Sequence, residues 1–142
     1  MKNFTIATAE SCTGGLVASH FTDLSGASNY FKGGVVAYTN EIKRDLLHVK
    51  TETLETFGAV SGQTALEMAT NVREIFSATI GLSTTGVAGP LTSEGKPVGL
   101  VYVAIVGEGF SEVKEFHFAG SRTEIKLQAA DEAMNLLFKY TA

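Results

Sequence analysis

Phe4-Thr5-Ile6-Ala7-Thr8-Ala9-Glu10-Ser11-Cys12-Thr13-Gly14-Gly15 runs from a short β-like segment into a polar, glycine-ended turn, and an apolar helical pattern follows it. The stretch reads as strand, turn and helix. A hydroxyl in such a turn sits beside the free N–H groups of the helix's first turn, which can take a developing negative charge. Successive glycines let a ligand approach without a Cβ in the way. The plain alternative is that this Ser/Thr/Gly cluster only caps the helix.

Working outward, a helix is expected from Gly15 to about Leu24, with Val17, His20, Phe21 and Leu24 on one face. On that stripe His20 reads as a satisfied core histidine. Gly33 to Tyr38 is a nearly continuous apolar run, expected to be a strand covered on both faces. Asn40 is expected to cap a helix from Glu41 to about Leu47, and a short helix over Thr51 to Phe57 should stop at Gly58. Ser61 caps the next, whose Ala65, Met68, Ala69, Val72 and Phe76 face inward. Further strands are expected over Thr79 to Ser83, Pro97 to Val106 and Glu112 to Phe118, with a polar loop from Leu91 to Lys96. Ser121 and Glu124 are spaced as a capping box at the head of a closing helix that reaches Tyr140. This order predicts one α/β domain over residues 1–142, three layers (α/β/α) around a mixed sheet of about five strands. Sites in such sheets lie beyond the carboxyl ends of strands. The Ser11 turn, the Tyr38 to Lys43 turn and the Thr84 to Pro90 turn are therefore the expected walls of one pocket.

A chain of 142 residues can bury a core without metals or disulfides. Its net charge of −4 argues against a nucleic-acid surface. The single Cys12 excludes an internal disulfide framework and fits a reducing, cytoplasmic setting. No apolar run approaches a membrane span, and the N-terminus does not read as a signal peptide.

A nucleophilic Ser11 needs a base, and His20, His48 and His117 are poorly placed for it. Lys43 is the other option, in the first turn of a helix whose N-terminus disfavours a protonated amine. Keeping a lysine largely neutral near pH 7 takes roughly 4 kcal/mol. The helix dipole supplies at most about 2 kcal/mol, so a basic Lys43 has to be buried. A solvated surface lysine is the alternative. Tyr38 could hydrogen-bond both serine and amine and relay the proton, or simply pack on a helix. Cys12 is a rival nucleophile, or a small packed residue. Arg122 follows the cap Ser121 at a helix end that prefers anions, and a bound anion, phosphate for choice, would reconcile it with Lys43. The glycine turns do not match a P-loop, and no residues have metal-ligand spacing, so neither metal nor cofactor is expected.

Thr8 to Gly15, Tyr38-Thr39-Asn40-Glu41-Ile42-Lys43, Gly58-Ala59-Val60-Ser61, Thr85-Gly86-Val87-Ala88-Gly89-Pro90, Lys96-Pro97-Val98-Gly99 and Gly120-Ser121-Arg122 together resemble the CinA C-terminal domain family, the nicotinamide mononucleotide deamidases. The resemblance implies hydrolysis of the nicotinamide mononucleotide carboxamide to nicotinate mononucleotide and ammonia, in pyridine-nucleotide salvage. It matches the family's catalytic serine, lysine and tyrosine to Ser11, Lys43 and Tyr38. Its substrate-facing turn falls on Thr85, Gly86, Ala88 and Gly89, and its arginine on Arg122, where Ser121 stands in place of the usual aspartate. The backbone of Thr13, Gly14 and Gly15 would hold either oxyanion or phosphate. A weakly active or non-catalytic nucleotide-binding protein is the alternative reading. Larger family members fuse this domain to a nucleotide-processing domain, and this chain is expected to be the free-standing form. The family usually carries a helix before the first strand; with Met1 three residues from Phe4 none is expected here, and a homo-oligomer is expected to cover that face.

Overall fold

The structure is a computed structural model and describes residues 3–142. Five strands, β1 (Ile6–Glu10), β2 (Phe31–Val36), β3 (Ile80–Gly86), β4 (Leu100–Gly107) and β5 (Phe110–His117), form one sheet in the order β2-β1-β3-β4-β5. β1 pairs in parallel with β2 and β3, whereas β3, β4 and β5 are antiparallel. The sheet is mixed because β1, β2 and β3 are linked through helices, while β4 and β5 are joined by a tight turn.

The helices are α1 (Leu16–Thr22), α2 (Asn40–Asp45), α3 (Thr51–Phe57), α4 (Gly62–Ile75) and α5 (Arg122–Thr141). Strand residues alternate between the two faces. Ile6, Ile80, Leu82, Val103 and Ile105 pack with Val17 and Phe21 of α1 and with Ile125, Ala129 and Leu137 of α5. Ala7 and Ala9 face Met68 and Val72 of α4 together with Leu47 and Val49. At Gly81 the α4 backbone comes so close to β3 that a Cβ would run into the carbonyl oxygen of Ala69. Ser83 Oγ donates to the Ala65 carbonyl at 2.6 Å in the same seam. The predicted α/β/α layering and five-stranded mixed sheet are what the chain adopts.

Local signals fared well where capping decides the matter. The Ser121–Glu124 capping box is formed, and Ser61 Oγ accepts the Thr64 N–H. α3 ends at Gly58, in a positive-φ conformation. Other expectations are corrected. β2 lies at the sheet edge, so alternate residues are exposed and it is not covered on both faces. It ends at Val36, which leaves Tyr38 in the following loop. Thr39, one residue ahead of Asn40, caps α2 by accepting from the Ile42 N–H. β4 starts at Leu100, because Pro97 to Gly99 form a turn in which the Leu100 N–H donates to the Pro97 carbonyl. α1 stops before Leu24, which is exposed. His20 is partly exposed, and its Nε2 has no hydrogen-bond partner, lying 3.5 Å from an Asp131 oxygen.

Candidate active site

Ser11 follows the last residue of β1 and is anchored by its N–H, which donates to the Thr84 carbonyl at the end of β3. The turn behind it is built on Glu10. This carboxylate is 1% exposed and accepts from the Thr13 hydroxyl at 2.6 Å, from the Val17 N–H at 2.8 Å and from the Ala18 N–H at 3.0 Å. Thr13 Oγ1 also pairs with Thr84 Oγ1 at 2.7 Å. A buried carboxylate thus occupies the amino end of α1, where unpaired N–H groups favour negative charge.

Lys43 reaches the same point from α2. Its Nζ donates to Ser11 Oγ at 2.9 Å and to the Tyr38 carbonyl at 3.3 Å. The side chain is 1% exposed. Burial lowers its pKa from the ordinary 10.5 to about 8, opposed by the Cys12 sulfur and the Glu94 carboxylate. The requirement that a basic Lys43 be buried is met, chiefly by desolvation. At pH 7 about a tenth of the molecules then carry a neutral amine, which can accept the Ser11 proton. Burial also pushes the Cys12 thiol up to about 12, which keeps it protonated and poorly nucleophilic.

Above the pair opens a cavity of about 370 Å³, within the ordinary range of small-molecule sites. Its walls come from the three loops named by the sequence and from two that were not. Ser11 and Cys12 form one wall, and Tyr38, Asn40 and Lys43 another. Thr85, Gly86, Ala88 and Gly89 form a third, and Arg122 stands at the head of α5. The additions are Ala59 and Val60, after α3, and Leu91, Ser93 and Glu94. Thr85 Oγ1 donates to the Ala59 carbonyl at 2.7 Å and ties two walls together.

Three expected residues stand apart. Thr13, Gly14 and Gly15 are not among the cavity's lining residues. The Thr13 hydroxyl is spent on Glu10 and Thr84, and the Gly14 N–H already donates to the Ser11 carbonyl. Tyr38 also differs from expectation. Its phenol bonds Arg122 Nη2 at 2.7 Å, and Arg122 Nη1 donates to the Gly89 carbonyl. Arg122 therefore clamps two loops and presents its guanidinium to the cavity. Glu94 escaped the sequence reading because its partners, the N–H groups of Ala59 and Val60, lie far away along the chain. Among the described residues no group of His, Cys, Asp and Glu could hold a metal ion, and no helix is long and apolar enough to cross a membrane.

The same architecture recurs in solved bacterial proteins. A crystal structure of the competence/damage inducible protein CihA from Agrobacterium tumefaciens superposes with a TM-score of 0.93 at 44% identity, covering 96% of this chain and 85% of that one. The competence-damaged protein (CinA) superfamily protein of Escherichia coli gives 0.94 at 33% identity, covering 96% and 80%. A CinA-like protein of Syntrophomonas wolfei is 51% identical over 136 residues, which are 95% of this chain and 33% of that protein. The chain spans about a third of the length of the curated relatives it matches. The family model for the CinA C-terminal domain matches residues 1–141. With that match running over nearly the whole length, the chain belongs to the CinA C-terminal domain family.

Proposed function

We propose that the chain is an amidohydrolase that converts nicotinamide mononucleotide to nicotinate mononucleotide and ammonia. The observation that carries this reading is the hydrogen bond between a buried, readily deprotonated Lys43 amine and the Ser11 hydroxyl at the floor of the cavity. A nucleophile within hydrogen-bond reach of its base is the arrangement that acyl transfer needs.

In this reading Lys43 takes the Ser11 proton as Oγ bonds to the carboxamide carbon, and the carbonyl oxygen becomes an oxyanion. The C–N bond then breaks, the departing nitrogen takes the proton from Lys43, and ammonia leaves an acyl ester on Ser11. Lys43 next accepts a proton from water as the water oxygen adds to the ester. The ester C–O bond breaks, Ser11 recovers its proton and nicotinate mononucleotide departs. Arg122 takes the phosphate, for which a guanidinium offers paired donors. Gly86, Val87, Ala88 and Gly89, at the end of β3 and just beyond it, form the wall that the nucleotide would face.

The test is chromatographic conversion of nicotinamide mononucleotide by wild type and Ser11→Ala in parallel. Turnover that Ser11→Ala abolishes is the expected result. A well-folded wild type that binds the nucleotide without hydrolysing it would replace this reading by a nucleotide-binding one.

A further inference from the structure

Residues 93–96 form a tight hairpin turn that the chemistry above does not use. The Lys96 N–H donates to the Ser93 carbonyl at 2.8 Å, and the two central residues, Glu94 and Gly95, have φ of 57° and 72°. Two positive φ values are the signature of a type I′ turn, and a glutamate held in one is strained. What the strained backbone gains is aim. Glu94 Oε2 accepts the Ala59 N–H at 2.8 Å and Oε1 the Val60 N–H at 3.1 Å. Lys96 Nζ donates to the Phe57 carbonyl at 2.6 Å, to the Val60 carbonyl, and to Glu94 Oε1 at 3.2 Å. The two charged side chains thus grip the turn after α3 from both its donors and its acceptors. Gly58 makes room for them, since a Cβ there would stand 2.5 Å from Glu94 Oε1 and 2.8 Å from Lys96 Nζ.

We propose that the Glu94–Lys96 clasp is the positioning element of the substrate pocket, holding the Ala59–Val60 wall and the 93–96 turn in register with the Ser11–Lys43 pair. The inference rests on the amidohydrolase reading for its substrate and on geometry for its mechanism. Ala59, Val60, Ser93 and Glu94 line the cavity together, although two separate loops supply them. No ladder of a sheet joins those loops. The clasp also acts on the base. Lys43 meets Ser11 and Cys12 from the β1–α1 turn, the Tyr38 carbonyl from its own loop, and the charge of Glu94 from the clasp. Cys12 is protonated over the working range, so Glu94 is the charged group that supports the Lys43 ammonium.

The experiment compares Glu94→Gln and Lys96→Met with wild type in turnover of nicotinamide mononucleotide and in the titration of the Lys43 side chain by NMR. Both variants should raise KM about tenfold with kcat within about threefold of wild type, because the wall loosens while Ser11 and Lys43 remain. The Lys43 titration should move in opposite directions. Glu94→Gln removes a supporting charge and lowers the midpoint by about half a pH unit, whereas Lys96→Met leaves Glu94 uncompensated and raises it. A structural brace alone would lower thermal stability in both and leave the midpoint and KM unmoved, and that result overturns the proposal. Absence of turnover by wild type would overturn the amidohydrolase reading instead. The clasp would then stand or fall on the two titrations.

Discussion

Arg122 Nη2 lies 2.7 Å from the phenol oxygen of Tyr38, and the part of Tyr38 that meets Lys43 is its carbonyl, at 3.3 Å. The phenol is therefore turned toward the cation at the pocket rim rather than toward the serine. A tyrosine relaying a proton in the reaction would cost about 10²–10⁴-fold in rate when its hydroxyl is removed. Tyr38→Phe is expected instead to keep kcat within about threefold and to raise KM, since Arg122 loses one of its two anchors. Arg122→Lys should raise KM further, because an ammonium cannot span both the Gly89 carbonyl and the phenol while facing an anion. Steady-state kinetics on the two variants checks both statements, and a thousandfold fall in kcat for Tyr38→Phe would return the phenol to the proton path.

Lys43 sets a pH signature. With its pKa lowered to about 8 by burial, kcat/KM should climb with pH and level off above about 8 as the neutral amine accumulates. The Cys12 thiol, pushed up to about 12, titrates outside this range, so Cys12→Ala should keep a single rising limb. Lys43→Arg should abolish the limb and lower kcat by about 10³-fold or more, because a guanidinium stays protonated. An unchanged profile in Lys43→Arg would remove the amine from the mechanism.

The burial that makes Lys43 a usable base also costs the folded protein stability while the amine is protonated. The folded-state pKa, about 8, lies below the ordinary 10.5, so between these values the unfolded chain binds more protons. Stability should therefore rise with pH across that window and be flat below it, where both states carry the charge. The gap corresponds to about 3 kcal/mol that the protonated lysine costs the folded protein at neutral pH. Lys43→Met should be more stable than wild type by an amount of that order at pH 7, and the difference should vanish by pH 10.5. Urea denaturation at several pH values measures it, and a Lys43→Met that is less stable at pH 7 contradicts the account.

How far the sequence could be read follows the range of the interactions. The α5 cap was legible because Ser121 and Glu124 lie within one helical turn, and α3 because Gly58 ends it locally. The pairing of Ser11 with Lys43 could be posed as a requirement, since strand order directs both loops to one end of the sheet. Its 2.9 Å geometry needed the fold. The apolar run from Gly33 to Tyr38 misled because composition does not say that β2 has a neighbour on one side only. The backbone from Thr13 to Gly15 is expected to hold an anion, and no local signal shows that Glu10 and Thr84 tie this turn down outside the cavity lining. Glu94 and Lys96 looked like loop polarity because their partners lie more than thirty positions away.

Glu10 supplies the last test, because its buried carboxylate has no solvent to fall back on. Both oxygens are used, one by the Thr13 hydroxyl and the Val17 N–H, the other by the Ala18 N–H. Glu10→Ala removes the acceptor of the buried Val17 N–H, the partly buried Ala18 N–H and the Thr13 hydroxyl, which keeps only Thr84, and should destabilise the fold by about 3 kcal/mol. Glu10→Gln keeps the shape but replaces one accepting oxygen with an NH₂ that faces a donor. A loss of about 1–2 kcal/mol is expected, together with a fall in kcat of about tenfold as the Ser11 turn loses its tether. The distinguishing readout is the pH limb. Glu10 makes no contact with the Lys43 amine, so the limb should stay near pH 8 in Glu10→Gln even as the plateau falls. A limb that moves with this substitution would mean that Glu10 acts on the base directly rather than through the turn that carries Ser11.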